Sequence, residues 1–243
     1  SDSSPVSSAL RGVFGMVPVT DLDTMRWVVT EEREPLLSAL HAGNNAVAQS
    51  TRQTLDTIAF VRSKIQGLPA AANPNYTYGP LSQTLQPLAR AIKLDLGVEL
   101  ATVDFGGWDH HDQLPGAFAN QARELANALF AFTDDLGSAM NRVTVVAMTE
   151  FGRRVSQNGS NGTDHGAASV MMVLGGGVKG GKIYGEWPGL KDSDLDGGDL
   201  RVTTDYRQVL AQALQKRQGQ ASVGNVFPSL AYKPLGQIGR AHV

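Results

Sequence analysis

Carboxylates and imidazoles crowd three short stretches of this chain. The first is Gly106-Gly107-Trp108-Asp109-His110-His111-Asp112, and the second is Glu150 followed by Phe151, Gly152, Arg153 and Arg154. The third is the pair Asp164-His165 inside the glycine-rich segment 158–166. Carboxylate oxygen combined with neutral imidazole nitrogen suits zinc, manganese or iron better than calcium alone, and two Asp/His clusters could hold a pair of ions. Taken singly, a surface histidine or a helix-start aspartate is the safer explanation, because capping, turn formation and packing call for the same residues. Taken as a group, Asp109, His111, Asp164 and His165 are candidate metal ligands, with Glu150 and Arg153 as candidate catalytic residues.

Distant residues meet only if the fold gathers them, and each stretch borders a run with strand character. Val98–Val103 precedes the first, Val143–Met148 precedes Glu150, and Ser169–Leu174 follows the third and stops at Gly175-Gly176-Gly177. Short apolar runs without alternation fit parallel strands covered on both faces. Open α/β sheets collect their ligands outside the carboxyl ends of such strands. Between the first two runs, Phe118, Ala122, Leu125, Leu129, Phe132, Leu136 and Met140 recur at helical spacing, with Gln121, Glu124, Asn127 and Asp134 on the opposite side. The pattern predicts a helix over 118–140.

A further helix is expected over 82–96 from Leu85, Leu88, Ile92 and Leu96, with Pro87 delaying or kinking it. A helical stretch that begins near the acidic Glu31, Glu32 and Glu34 and runs to about Gln66 is interrupted at Gly43. Residues 67–80 form a loop rich in Gly and Pro, and Val13–Val19 is an edge strand or a cover for a core. A last helix follows Thr204, with Tyr206, Val209, Leu210 and Leu214 facing inward. The predicted fold class is α/β, a mainly parallel sheet flanked by helices. Residues 1–80 form a helical or irregular region packed on the core, and residues 81–243 form the α/β part. The strands near 98–103, 143–149 and 169–174 share one sheet, and helix 118–140 crosses between the first two.

Composition narrows the partners. The 243 residues carry 21 Lys and Arg against 23 Asp and Glu, a formal charge of -2, with no basic block to follow a phosphate backbone. Nucleic acid is therefore not an expected partner. With no cysteine, disulfides, thiolate nucleophiles and Cys-ligated metal centres are excluded. No apolar run approaches the length of about 18 residues that a membrane span needs. The chain opens Ser1-Asp2-Ser3-Ser4-Pro5, without an initiator methionine or an apolar signal core, as in a processed or truncated product. Asp192–Gly197 resembles half of a calcium loop, but the twelfth position is Thr203, so a turn cluster is expected there. The glycine run ending at Gly181 lacks the spacing of a phosphate loop around Lys179 and fits a tight crossover.

Three ordered segments, GGWDHHDQ (106–113), TEFGRRVSQNGSNGTDHG (149–166) and VLGGGVKGGKIYG (173–185), resemble the C-terminal half of the DUF1501 family, a sulfatase-like branch of the alkaline phosphatase superfamily. The resemblance runs from about residue 80 to 230 and is strongest across 98–185. It implies an alkaline-phosphatase-like fold and a two-metal site that binds zinc or manganese, with calcium a further option. On it, Asp109 and His111 match a Trp-Asp-Thr-His ligand motif with His110 in place of Thr, and Asp164 and His165 match an adjacent Asp-His pair for a second ion. Glu150 opens a Glu-Phe-Gly-Arg motif and would orient a ligand or touch metal-bound water. Arg153 would neutralise an oxyanion or form a structural ion pair.

One departure stands out. No Gly-Gly-Asp-Gly stretch occurs before residue 98, so a metal carboxylate and a Ser or Thr nucleophile are unaccounted for. None of Thr102, Thr149 and Thr163 is marked as that nucleophile, and His242 lacks a ligand motif. The implied function is hydrolysis of a small anionic phosphate or sulfate ester. The alternative is a secreted, non-catalytic binding or structural module that keeps the fold. A missing N-terminal segment or a homo-oligomer is the expected protein partner, and the expected location is periplasmic or extracellular.

Overall fold

The computed structural model describes residues 33–65, 76–77, 79–219 and 222–239. The expected strand at 13–19, most of the loop at 67–80 and His242 lie outside them. The described residues divide into two units. One comprises those up to Phe105 together with Asn127–Leu136, and the other comprises Gly106–Ala126 and the chain from Gly137 onward.

The first unit is helical. Helix α1 (Glu34–Leu40) starts with Glu34 and Pro35, an acid near the free N–H groups and a residue with no N–H to satisfy. Gly43 lies in the break before α2 (Ala46–Ile65), as expected. Asn45 caps α2, its Oδ1 accepting from the Ala48 N–H at 2.8 Å. Ala48, Ile58 and Val61 are buried, and the ion pair of Arg62 with Glu34, 2.7 Å long, ties the end of α2 back to α1. Helix α3 (Gly79–Lys93) buries Leu81, Leu85 and Ala89 and continues through Pro87. Asp135 receives the Lys93 ammonium at 2.5 Å and the Tyr76 hydroxyl at 3.2 Å. Burial, then the Asp135 charge, pushes the Tyr76 phenol well above its ordinary pKa.

Helix α4 (Leu114–Leu136) contributes residues to both units. It begins four residues before the expected start and ends at Gly137, whose φ of +48° is a left-handed conformation that glycine adopts at helix C-termini without steric cost. A 3-10 turn, Gly137–Arg142, takes the place of the expected last helical turn. Ala128, Ala131, Phe132 and Leu136 are buried on the α4 segment of the first unit, and Phe118 is exposed.

The sheet differs from the expectation. The strands are β1 (Thr144–Ala147), β2 (Gly152–Arg153), β3 (His165–Gly166) and β4 (Met172–Gly175). β1 pairs with β4 antiparallel, from Thr144 opposite Gly175 to Ala147 opposite Met172. β2 pairs with β3 antiparallel, Gly152 opposite Gly166 and Arg153 opposite His165. Among the described residues both sheets are two-stranded and no parallel pair occurs. The expectation of one mainly parallel sheet is corrected here, and the connection between β1 and β4 gives the physical reason. A parallel pair needs a crossover that returns the chain to its starting end. Residues 148–171 hold a hairpin and loops but no helix, so the chain re-enters β4 from the end at which it left β1.

Val98–Val103 forms no strand or ladder, and Val98 and Leu100 are exposed. Its β-branched composition measures fitness for a pleated, half-buried surface rather than an intrinsic strand conformation. Helix 118–140 therefore does not link two strands of one sheet.

Helix α5 (Tyr206–Arg217) is capped by Asp205, whose Oδ1 accepts the Arg207 N–H at 2.9 Å. Val209 is buried as expected, whereas Tyr206 is exposed. Gln212 is buried instead and satisfied at both ends of its amide, donating to the Ile238 carbonyl and accepting from the Gly236 N–H, each at 3.1 Å. No helix among the described residues is long and apolar enough to cross a membrane.

Phe132 has 2% of its surface exposed, so Phe132→Ala is expected to cost about 3–5 kcal/mol through lost burial and the cavity left behind. Urea unfolding of the two proteins measures it, and a cost under about 1 kcal/mol would place Phe132 outside a packed core.

Candidate functional site

Backbone hydrogen bonds bring the first and third chemical stretches together. Thr163 N–H donates to the His110 carbonyl at 3.3 Å, Gln113 N–H to Ser160 at 3.2 Å, and Leu114 N–H to Asn161 at 2.9 Å. So close an approach requires glycine at 162. A Cβ there would run into the His111 carbonyl group and the Asp112 nitrogen. The second stretch joins through the β2–β3 hairpin, where Arg154 N–H donates to the Asp164 carbonyl at 2.9 Å. Arg153 and His165 face each other across that ladder.

Three donors then converge. Asp109 Oδ1 lies 3.0 Å from His111 Nε2 and 2.9 Å from His165 Nε2, and the two imidazole nitrogens are 3.1 Å apart. Asp109, His111 and His165 form a group that could hold a metal ion. The separations fit such a role. Donors about 2.0–2.1 Å from a common ion stand roughly 2.9 Å apart at right angles and roughly 3.3 Å apart at the tetrahedral angle. The group is open to solvent, with the side chains of Asp109 and His165 69% and 49% exposed.

Neighbouring residues hold these donors in place. Arg153 Nη2 donates to Asp109 Oδ1 at 2.6 Å and to the Trp108 carbonyl at 3.1 Å, and Nη1 donates to the Thr163 carbonyl at 2.6 Å. The Phe151 ring packs on the His165 ring, centroids 4.3 Å apart. On the outer edge of His111, Nδ1 lies 3.3 Å from Asp164 Oδ1. Asn158 Nδ2 donates to that same oxygen at 3.2 Å and to the His111 carbonyl at 2.8 Å. The hydrogen bond from His165, then the one from Arg153, holds the Asp109 carboxyl below its ordinary pKa. The Asn158 amide and His111 do the same for Asp164.

Asp109, His111 and His165 thus meet as a set, with Asp164 bound to the far side of His111. Glu150 sits in the exposed turn after β1 and is not one of the converging donors. From that turn it is Phe151 that reaches the site. His110 is buried, its ring edge-on to Trp108 and Phe118, so it packs and does not ligate. Asn158 and Phe151 are the contributors that motif reading passed over. The signal for Asn158 was its place in Asn-Gly-Ser-Asn-Gly, where Asx side chains fold back on their own backbone.

Fold and site together define a mixed α/β protein with an exposed Asp/His cluster able to hold a metal ion. The chain belongs to the DUF1501 family, described as a protein of unknown function, whose model matches residues 32–227. No curated protein and no solved structure matches it.

Two measurements test this geometry. Both carboxyls are depressed in the folded state, so their contribution to stability is complete above the ordinary carboxyl pKa of about 3.9 and is lost as pH falls through the lower folded values. Carbon-detected NMR titration of metal-free protein should show Asp109 and Asp164 titrating below the ordinary aspartate value of about 3.9. Titration at or above that value would mean these hydrogen bonds are absent in solution. Separately, Gly162→Ala should displace His111 and perturb its ring signals together with those of His165. Unchanged spectra would show that the two loops do not pack as described.

Proposed function

We propose that this protein is a metal-dependent hydrolase of small phosphate or sulfate esters, related in fold to the sulfatase-like branch of the alkaline phosphatase superfamily. The observation that carries the reading is the meeting of two imidazoles and one carboxylate, 2.9–3.1 Å apart, on an exposed surface. Three protein ligands with an open position are the arrangement of catalytic zinc sites, whereas structural sites are closed by a fourth ligand. Two nitrogen donors favour zinc or manganese over calcium, which prefers an all-oxygen shell. The three motif segments that resemble the superfamily add support.

A divalent ion bound there supplies Lewis acidity toward an ester oxygen and makes bound water more acidic. The chain's own residues do the rest. Asp109, His111 and His165 present their donors to one point, and Phe151 restrains the His165 ring. Arg153 aims Asp109 and keeps it ionised. Its guanidinium already serves three acceptors, so it acts on an anionic ester through its positive field.

One observation favours a metal-holding module without turnover. Thr149 Oγ1 donates to the Phe151 carbonyl at 2.7 Å and lies 3.0 Å from Ser169 Oγ, while Thr163 is buried. Neither threonine is placed as a free nucleophile.

Protein loaded with zinc or manganese is expected to hydrolyse at least one of p-nitrophenyl phosphate, bis(p-nitrophenyl) phosphate and p-nitrophenyl sulfate. His111→Ala and His165→Ala should abolish the activity, and Lys179→Ala should leave metal content unchanged. Affinity for the ion should fall on acidification, as protons compete for imidazole and carboxylate. Binding without turnover of any of the three esters would select the non-catalytic reading. Failure to bind either ion near neutral pH would defeat both.

A further inference from the structure

Asp164 and His165 are neighbours in sequence but serve opposite edges of one ring. His165 Nε2 faces Asp109 Oδ1 and His111 Nε2. Asp164 Oδ1 faces His111 Nδ1. The divergence follows from the chain. Asp164 precedes β3 and His165 lies on it, and successive side chains of an extended backbone leave on opposite sides.

The roles of Asn158 and Asp164 are fixed by the backbone. Asn158 Oδ1 accepts from Ser160 N–H at 2.9 Å and from Gly162 N–H at 3.0 Å, so the other end of the amide is the donor. That donor, Nδ2, points at Asp164 Oδ1, which is therefore an acceptor. His111 thus stands between two carboxylates, Asp164 Oδ1 at 3.3 Å from Nδ1 and Asp109 Oδ1 at 3.0 Å from Nε2. A cation taken by the Nε2 lone pair leaves the ring proton on Nδ1, where Asp164 accepts it and fixes the ring.

We infer that Asp164, anchored by Asn158, is a positioning residue for His111, and that the site takes one divalent ion on Asp109, His111 and His165. This rests on the metal reading proposed above and departs from the two-ion arrangement that the sequence resemblance implies. Asp164 cannot share the ion held at Nε2, because the imidazole ring lies between them.

Zinc and manganese titrations of the whole chain by calorimetry, with metal analysis after dialysis, read the stoichiometry. Long-range nitrogen–proton NMR of the zinc-loaded protein reads whether the His111 Nδ1 proton is held in a hydrogen bond. Wild type should bind one equivalent and show a downfield, slowly exchanging Nδ1 proton on His111. Asp164→Ala should still bind one equivalent, about 10- to 100-fold more weakly, with that protected proton lost. Asp164→Asn, which keeps an acceptor oxygen, should recover part of both. Asp164 is 60% exposed, and unchanged thermal unfolding of both variants would confirm intact folds. Two equivalents in wild type falling to one in Asp164→Ala would make Asp164 a ligand and overturn the inference while leaving the metal reading intact. An exposed, fast-exchanging Nδ1 proton on His111 in zinc-loaded wild type would overturn the positioning role and leave the metal reading intact. No binding of either ion by wild type would defeat the metal reading and the one-ion claim with it.

Discussion

The side-chain amide of Asn158 uses all of its hydrogen-bonding capacity at the meeting of two segments. Two backbone N–H groups occupy its oxygen, and its nitrogen serves the His111 carbonyl and the Asp164 carboxylate. The Asn158 N–H itself donates to the Gly162 carbonyl at 2.9 Å. One residue therefore closes its own loop, fastens the loop to the His111 backbone and sets the acceptor that orients the His111 ring. Without this hub, the Asp109-His111 segment and the Asp164-His165 segment would keep their backbone bonds and the contacts among the site side chains, but Asp164 would lose the amide that holds it beside His111. Aspartate at 158 would lack the donor nitrogen and would place one anion beside another.

Charge is arranged just as locally. Arg153 lies across the ladder from His165, yet its guanidinium bonds to Asp109 and to carbonyls on both neighbouring segments. It neutralises a carboxylate and serves as a cross-brace between three strands of chain. These pairs are exposed, so water and salt screen them, and isolated surface pairs of this kind contribute little to stability. Their effect is on where the donors point.

Helices were legible in the sequence because their signals are local. The periodic apolar residues of α4, the acid–proline start of α1 and the break at Gly43 all act within a few residues of themselves. Strand pairing was not legible in this way. The run Val143–Met148 announced a strand, but whether its partner is parallel depends on how residues 148–171 travel, and composition does not encode that. The site falls between these cases. Asp109, His111 and His165 were recognisable from residue type and spacing, and they converge. The separation of Asp164 from that set was hidden, because it depends on which edge of an imidazole a carboxylate meets. Glu150 carried the stronger chemical label, but Phe151 beside it makes the contact. The Asn158 hub could be suspected from its turn-rich surroundings, though its partners 47 residues away could not.

Asn158 is followed by Gly159, the pairing in which a backbone nitrogen most readily attacks the preceding side-chain amide. The same bonds that orient the ring also restrain the amide from the rotation this reaction needs. Slow chemical ageing and local order are thereby set against each other at a single bond. If the loop opens often enough for the amide to be lost, the carboxylate left behind repels Asp164, and the damage registers at His111 before the helices record any change.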